Sequence, residues 1–281
     1  MADELRKGAG QAGERFREVR DAASARTTAA RESAASHTAT ARDAAATHTA
    51  AARDAAATHT AAARERFAQI KPRLRGVSHQ WAFVASLFLG VALILMADSR
   101  EATLAVTIYA ASLSALFGTS ALYHRINWSR ESVRQWMRRL DHSMIFMLIA
   151  GTYTPFVLLV LQGPLADAIL AVVWIGALAG TLIETLWISH PKWVAAIIYL
   201  ALGWVSVAAI PGLWSGLGPG GTLLVSAGGV LYTIGAIVYA TQRPDPNPRV
   251  FGYHEVFHAL VIVAAATHFA AIALFALPAA S

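Results

Sequence analysis

The sequence predicts an all-α integral membrane protein. It reads as a bundle of seven transmembrane helices with the N-terminus in the cytoplasm, preceded by an Ala-rich helical arm built on an 11-residue repeat. Three observations carry that prediction. The chain is 56% apolar and only 14% charged, whereas a soluble globular domain sits near about 45–50% and about 25%. Its polar residues are gathered at one end: residues 1–75 hold 14 of the 23 Lys/Arg and 9 of the 17 Asp/Glu, and all 8 Trp lie beyond residue 80. The remainder falls into seven apolar runs, each near the roughly 20 residues that an α-helix needs to cross a bilayer. Two domains follow, an arm over 1–75 and a seven-transmembrane domain over 76–281.

The arm comes first. Arg20-Asp21, Arg31-Glu32, Arg42-Asp43, Arg53-Asp54 and Arg64-Glu65 recur every 11 residues, as do His37, His48 and His59. Eleven residues make three helical turns, so each repeated residue returns to nearly the same face. Alanine fills most other places and favours helix, which predicts one long helix over about 14–70. Its apolar face is almost all Ala, with Phe16 and Phe67 as exceptions. So little buried area does not sustain a strong coiled coil. A solvated tether is the expected role; weak contact with anionic lipid, or self-association, is the alternative. The three His stand about 16 Å apart along such a helix and form no common metal site. The arm is therefore expected to be dispensable for folding of the spans. Deleting residues 1–70 should leave the thermal midpoint and metal content nearly unchanged, and a large fall in either would show that the repeat packs on the spans.

The seven runs lie near 78–97, 102–123, 141–161, 166–187, 193–214, 220–240 and 254–277. They are continuously apolar rather than alternating, and a helix satisfies its own backbone in lipid. Pro155 and Pro211 interrupt spans three and five and predict kinks. Gly216 to Gly221 reads as an outside loop. Orientation follows from Lys and Arg. Arg125, Arg130, Arg134, Arg138 and Arg139 follow span two, Lys192 follows span four, and Arg243 and Arg249 follow span six. The opposite loops hold Arg100 alone. That asymmetry predicts a multi-pass protein of the cell membrane with its N-terminus inside and its C-terminus outside. The start of the chain, Met1 to Gly10, is charged and leads into no apolar stretch, so no signal peptide is expected. The +6 net charge serves orientation rather than nucleic acid, because the basic residues border apolar runs. There is no Cys, which excludes disulfides and thiolate metal sites.

Polar groups inside such runs are costly and mark candidate sites. Ser120 and His124 end span two, Asp141 and His142 begin span three, and His254 and His258 begin span seven. The predicted topology puts all of them at the cytoplasmic end. His254 and His258 are i, i+4 on one helical face, the spacing at which two imidazoles grip one metal. A third His on another helix makes a three-His set with one tetrahedral position open, the catalytic rather than the structural pattern. Neutral imidazoles select zinc over magnesium or calcium, which take oxygen. Asp141 is placed either to hold a metal-bound water or to accept a ligand's ring N–H. His268, about 15 Å deeper than His258, is expected to be a buried hydrogen-bonded residue, with a substrate or proton path as the alternative. Glu184 is expected either solvated at the interface or lining a cavity.

At these residues the sequence resembles the hemolysin III family, within the wider superfamily of progestin and adipoQ receptors that includes the adiponectin receptors. The resemblance rests on Ser120-Ala-Leu-Tyr-His124, on Leu140-Asp141-His142-Ser143-Met144-Ile145-Phe146 running to Gly151-Thr-Tyr-Thr-Pro155-Phe156, and on Tyr253-His254-Glu-Val-Phe-His258 through His268-Phe269. It covers about 75–277 and leaves out the arm. The resemblance implies seven helices with the N-terminus inside. It implies zinc on His124, His254 and His258, with Ser120 and Asp141 close to the metal-bound water. It also implies kinship with membrane hydrolases that cleave amide bonds in lipids such as ceramide.

Two function classes follow. One is an intramembrane zinc hydrolase acting on a lipid amide or ester at the cytoplasmic leaflet, with Asp141 and Ser120 as catalytic residues and no separate general acid evident. The other is non-enzymatic: a pore-forming, haemolytic protein, or a receptor or sensor stabilised by zinc. Membrane lipid is the expected partner in either case.

Overall fold

The computed structural model describes residues 72–187 and 192–280, together with 26–27, 31, 36–37, 42–43 and 45–58 nearer the N-terminus. The chain divides into two units, Met1–Gln69 and Ile70–Ser281. In the first, residues 45–58 are helical, apart from which the predicted arm helix lies mostly outside the described residues. Thr47 and Thr58, one repeat apart, each donate a hydroxyl to the carbonyl four residues back, at 2.6 Å.

The second unit is helical, with α1 over Val77–Leu95, α2 over Arg100–Arg125, α3 over Glu131–Leu159, α4 over Pro164–Leu186, α5 over Lys192–Trp204, α6 over Ile210–Thr241 and α7 over Tyr253–Ala271. A 3-10 turn, Val205–Ala209, joins α5 to α6, and a π-helical turn, Ile272–Ala276, follows α7. An isolated bridge between Asn247 and Phe251 is the sole β pairing among the described residues. Helix ends carry the expected signals. Ser99 caps α2 by accepting the Ala102 N–H at 3.0 Å, as a short oxygen side chain does at an N-cap. Pro164 opens α4, where its missing N–H costs nothing.

Among the described residues, six helical segments are long and apolar enough to cross a membrane. The outward faces carry large apolar side chains, such as Phe88 at 74% exposure and Leu95 at 80%. A surface of that kind is stable against lipid and not against water. The fifth segment, Val194–Thr241, has 48 residues. A straight helix of that length would run about 72 Å, more than twice the roughly 30 Å hydrocarbon core. It is not straight. Gly218 is non-helical, with φ 68° and ψ −176°, a conformation open essentially to Gly alone.

The glycine-rich stretch predicted as a loop is thus helix on both sides of a single reversed residue, with Pro219 restarting the helix. Pro211 lies in the first turn of α6, directly after the 3-10 turn. The irregularity falls a few residues before it, at Val205–Ala209, and the freed carbonyls of Leu202 and Gly203 both accept the Tyr153 hydroxyl, at 2.9 and 2.7 Å. Pro155 stays inside α3. That helix begins ten residues before its apolar run, at Glu131, where the exposed pair Glu131–Arg134 closes at 2.8 Å one turn apart. The most enclosed segments are α2, α3 and the one beginning with α7. These three carry the predicted site residues.

Candidate metal centre

His124 ends α2 while His254 and His258 occupy the first turns of α7. The fold brings the three together, with one ligand atom from each lying within 4.8 Å of the others. His124 Nε2 and His254 Nε2 are 3.1 Å apart. Two nitrogens bound at about 2.0–2.1 Å to one tetrahedral ion would stand about 3.3 Å apart, so this spacing fits a shared ion. The cluster is buried, with His258 at 2% exposure and its Nδ1 without a hydrogen-bond partner; His254 keeps some surface. Three imidazoles in buried, largely apolar surroundings suit a metal of intermediate softness. The residues present therefore fit the group that the donor set implies.

Asp141 approaches from α3, with Oδ2 3.5 Å from His124 Nε2. Nε2 is the same nitrogen that faces His254. The carboxylate accordingly sits at the converging side of the cluster, not behind the His124 ring. Ser120 is buried and lies four residues before His124, one turn deeper on α2. Both Ser120 and Asp141 line a cavity of about 360 Å³ together with His254 and His258.

That cavity runs among α3, α5, α6 and α7, and most of its wall is apolar. The lining residues that are also exposed are Trp204, Val207 and Ile210 on one side and Ser226, Gly229 and Val230 on the other. All six belong to the α5–α6 segment. The mouth thus opens sideways, through the lipid-facing surface, at the level of the 3-10 turn. Irregular backbone at membrane depth is tolerated where it lines such a space.

His268 is buried, with Nε2 3.0 Å from the Val225 carbonyl, and it too lines the cavity. Glu184 takes neither predicted position. It is 4% exposed and pairs with His142, its Oε2 3.5 Å from His142 Nδ1. A charge at that depth needs a partner, and α3 supplies it.

Three residues escape the sequence argument. His79 of α1 stacks on His258, centroids 3.7 Å apart and planes at 8°, and meets Phe117 edge-on at 5.0 Å. Both of its ring nitrogens lack a hydrogen-bond partner. A lone His offers no spacing to read; its depth, at the same end as the other His, is the one signal available. Glu255 falls between the two clustered His of α7, so His254-Glu255-Val256-Phe257-His258 has the form H-E-x-x-H, in which zinc proteases use the Glu as base. Here Glu255 has another task. Its Oε1 accepts Arg75 Nε at 2.5 Å and its Oε2 accepts the Gly252 N–H at 2.8 Å. One oxygen ties α7 to the segment before α1 and the other caps the first turn of α7 itself. That segment also bonds through its backbone, Arg73 N–H to the Arg249 carbonyl at 3.1 Å and Leu74 N–H to the Val250 carbonyl at 3.2 Å.

Gly76 is the third. Its φ is +78°, and a Cβ there would stand 2.6 Å from His124 Cβ. Gly76→Ala should therefore destabilise the protein by about 1–3 kcal/mol through overpacking and strain, and weaken metal binding because the neighbour that must give is a ligand. Equilibrium metal titration of the variant checks this, and unchanged affinity with an unchanged melting midpoint would refute it.

Residues 67–269 match the family described as Haemolysin-III related. The chain is 34% identical over 183 residues to Hemolysin-3 of Bacillus cereus, covering 65% of this chain and 80% of that protein. It is 32% identical over 163 residues to the Hemolysin-3 homolog of Bacillus subtilis (strain 168), covering 58% and 73%. It is 25% identical over 198 residues to the human Monocyte to macrophage differentiation factor, covering 69% and 80%.

Proposed function

The chain belongs to the haemolysin-III-related family of multi-pass membrane proteins, and on that premise we propose that it is a zinc-dependent hydrolase of a lipid amide or ester at the cytoplasmic leaflet. One observation carries the reading: three imidazoles cluster, with a carboxylate oxygen 3.5 Å from one of them, beside an apolar cavity that opens toward lipid. His124, His254 and His258 would hold the ion, which when bound polarises a carbonyl and acidifies water. Asp141 takes the proton of the attacking water, Ser120 hydrogen-bonds the substrate oxygen, and the acyl chain lies along the apolar wall away from water. The relatives' name, Hemolysin-3, supports a second reading, a membrane-perturbing protein in which the same His cluster braces α2 against α7.

Asp141→Asn separates the two. It keeps the shape and removes the proton acceptor. Under the hydrolase reading it retains metal and loses turnover by about 10–100-fold, measured on a panel of lipid amides and esters with and without chelator. Loss of metal as complete as in His258→Ala would make Asp141 a ligand and close the position that catalysis needs. Chelator-insensitive dye release from vesicles, without turnover, would favour the second reading.

The 48-residue segment broken at Gly218 supports two crossings there and so seven in all, with the N-terminus inside and the C-terminus outside. The absence of native Cys permits a direct test. In intact cells, Gly220→Cys should react with an impermeant maleimide from outside, and Asn247→Cys only after lysis. Protection of Gly220→Cys in both conditions would place the break within the bilayer and overturn the count.

A further inference from the structure

The cavity wall holds one polar cluster that neither the metal ligands nor Asp141 and Ser120 use. His142 follows Asp141 on α3 and lines the same cavity. Behind it, on α4, the Glu184 carboxylate is nearly sealed from solvent, its Oε2 3.5 Å from His142 Nδ1. Tyr199 of α5 closes the arrangement: its hydroxyl donates to the His142 carbonyl at 3.2 Å and reaches Glu184 Oε1 at 3.5 Å. Three helices thus converge to orient one imidazole. A carboxylate on one ring nitrogen holds a proton there and leaves the other nitrogen for chemistry. Tyr239 locates His142 relative to the candidate metal centre, its ring centroid 6.3 Å from that of His142 and 6.0 Å from that of His254.

We propose that His142 is a catalytic proton donor to the leaving group, with Glu184 and Tyr199 as its positioning residues. The role rests on the hydrolase reading and supplies the acid that reading lacks, since an amide nitrogen departs poorly without a proton. The step balances as follows. The water oxygen bonds to the acyl carbon and Asp141 takes one water proton. Asp141 passes that proton to Nε2 of its chain neighbour His142, and as the C–N bond breaks with its electron pair on nitrogen, His142 gives the Nε2 proton to that nitrogen, which restores both side chains. A carboxylic acid and an amine result. The Glu184 carboxylate stabilises the imidazolium that the step requires.

The test compares a lipid amide with the p-nitrophenyl ester of the same acyl chain, whose leaving group needs no acid. His142→Asn should lower kcat on the amide by about 100-fold or more and on the ester by less than about threefold, with metal content unchanged. Glu184→Gln and Tyr199→Phe should show the same selectivity at smaller amplitude, and they carry the test if His142→Asn fails to fold. A readout independent of turnover is the 15N NMR signature of labelled His142: Nδ1 protonated in the wild type and shifted toward the other tautomer in Glu184→Gln. Equal losses on amide and ester, undiminished amide turnover, or a tautomer indifferent to Glu184→Gln each overturn the role while leaving the hydrolase reading intact. A wild-type chain that turns over neither substrate overturns that reading and this role with it.

Discussion

Replacing His258 by alanine should lower metal affinity about a hundredfold or more, so that the purified variant retains no stoichiometric metal after desalting. The expectation follows from the donor count. Three imidazoles with ligand atoms within 4.8 Å of one another form a competent tetrahedral set with one place open; two imidazoles and water do not. The ring is 2% exposed and stacked on His79, so its loss leaves a buried gap in the donor set. His124→Ala and His254→Ala should behave alike. His268→Ala supplies the control. It lies ten residues further along the helix, about 15 Å away, bonded to Val225, and its loss should leave metal binding in place. Competition against a chromophoric chelator measures all four. Wild-type affinity in His258→Ala would dismiss the three-His centre.

The second large effect concerns Arg75. Arg75→Ala leaves the Glu255 carboxylate, 2% exposed, without its counter-charge. Breaking one side of a buried ion pair costs about 3–5 kcal/mol, which for a domain of this size lowers the melting midpoint by on the order of 10 °C. Metal affinity should fall with it, because Glu255 caps the helix that carries two of the three ligands. The double variant Arg75→Leu with Glu255→Leu should recover much of the stability, since it removes both charges together. The alternative role for Glu255 makes the opposite prediction. A general base in an H-E-x-x-H arrangement would, as Glu255→Gln, abolish turnover and leave the midpoint untouched. That outcome would refute the brace.

How much of this was legible beforehand follows from what leaves a periodic trace. The i, i+4 pair His254 and His258, the matching end of span two at His124, and the shared depth of Ser120 and Asp141 are patterns in one dimension, and the fold clusters the three His and sets Ser120 and Asp141 with His254 and His258 in one cavity wall. The apolar runs likewise anticipate the helices, because crossing a bilayer leaves little choice of backbone. Contacts between single residues far apart in sequence leave no such trace. The stack of His79 on His258, the Arg75–Glu255 pair and the fit of Gly76 against His124 depend on how the start of α1 meets α7 and α2, which no local pattern encodes. Local backbone detail is hidden for a similar reason. Gly-Pro-Gly signals a break near 218, but reading it as a loop overlooks that one residue in an unusual conformation suffices. Proline at 211 predicts an irregularity in span five, yet the 3-10 turn at Val205–Ala209 is held by Tyr153, a side chain on α3.

His124 and His254 are separated by 130 residues, and that gap has a consequence in time. At ribosomal rates of about 5–20 residues per second, their translation is separated by on the order of ten seconds. For that interval the first ligand is already in the bilayer while the other two are still unmade. A nascent chain therefore carries one imidazole of the three-His set, a weak trap for ions. If the cluster holds a metal as proposed, metallation becomes the closing event of biogenesis, reserved for chains whose α7 has docked beside α2. On that reading, ribosome-stalled or prematurely terminated products would emerge without the metal.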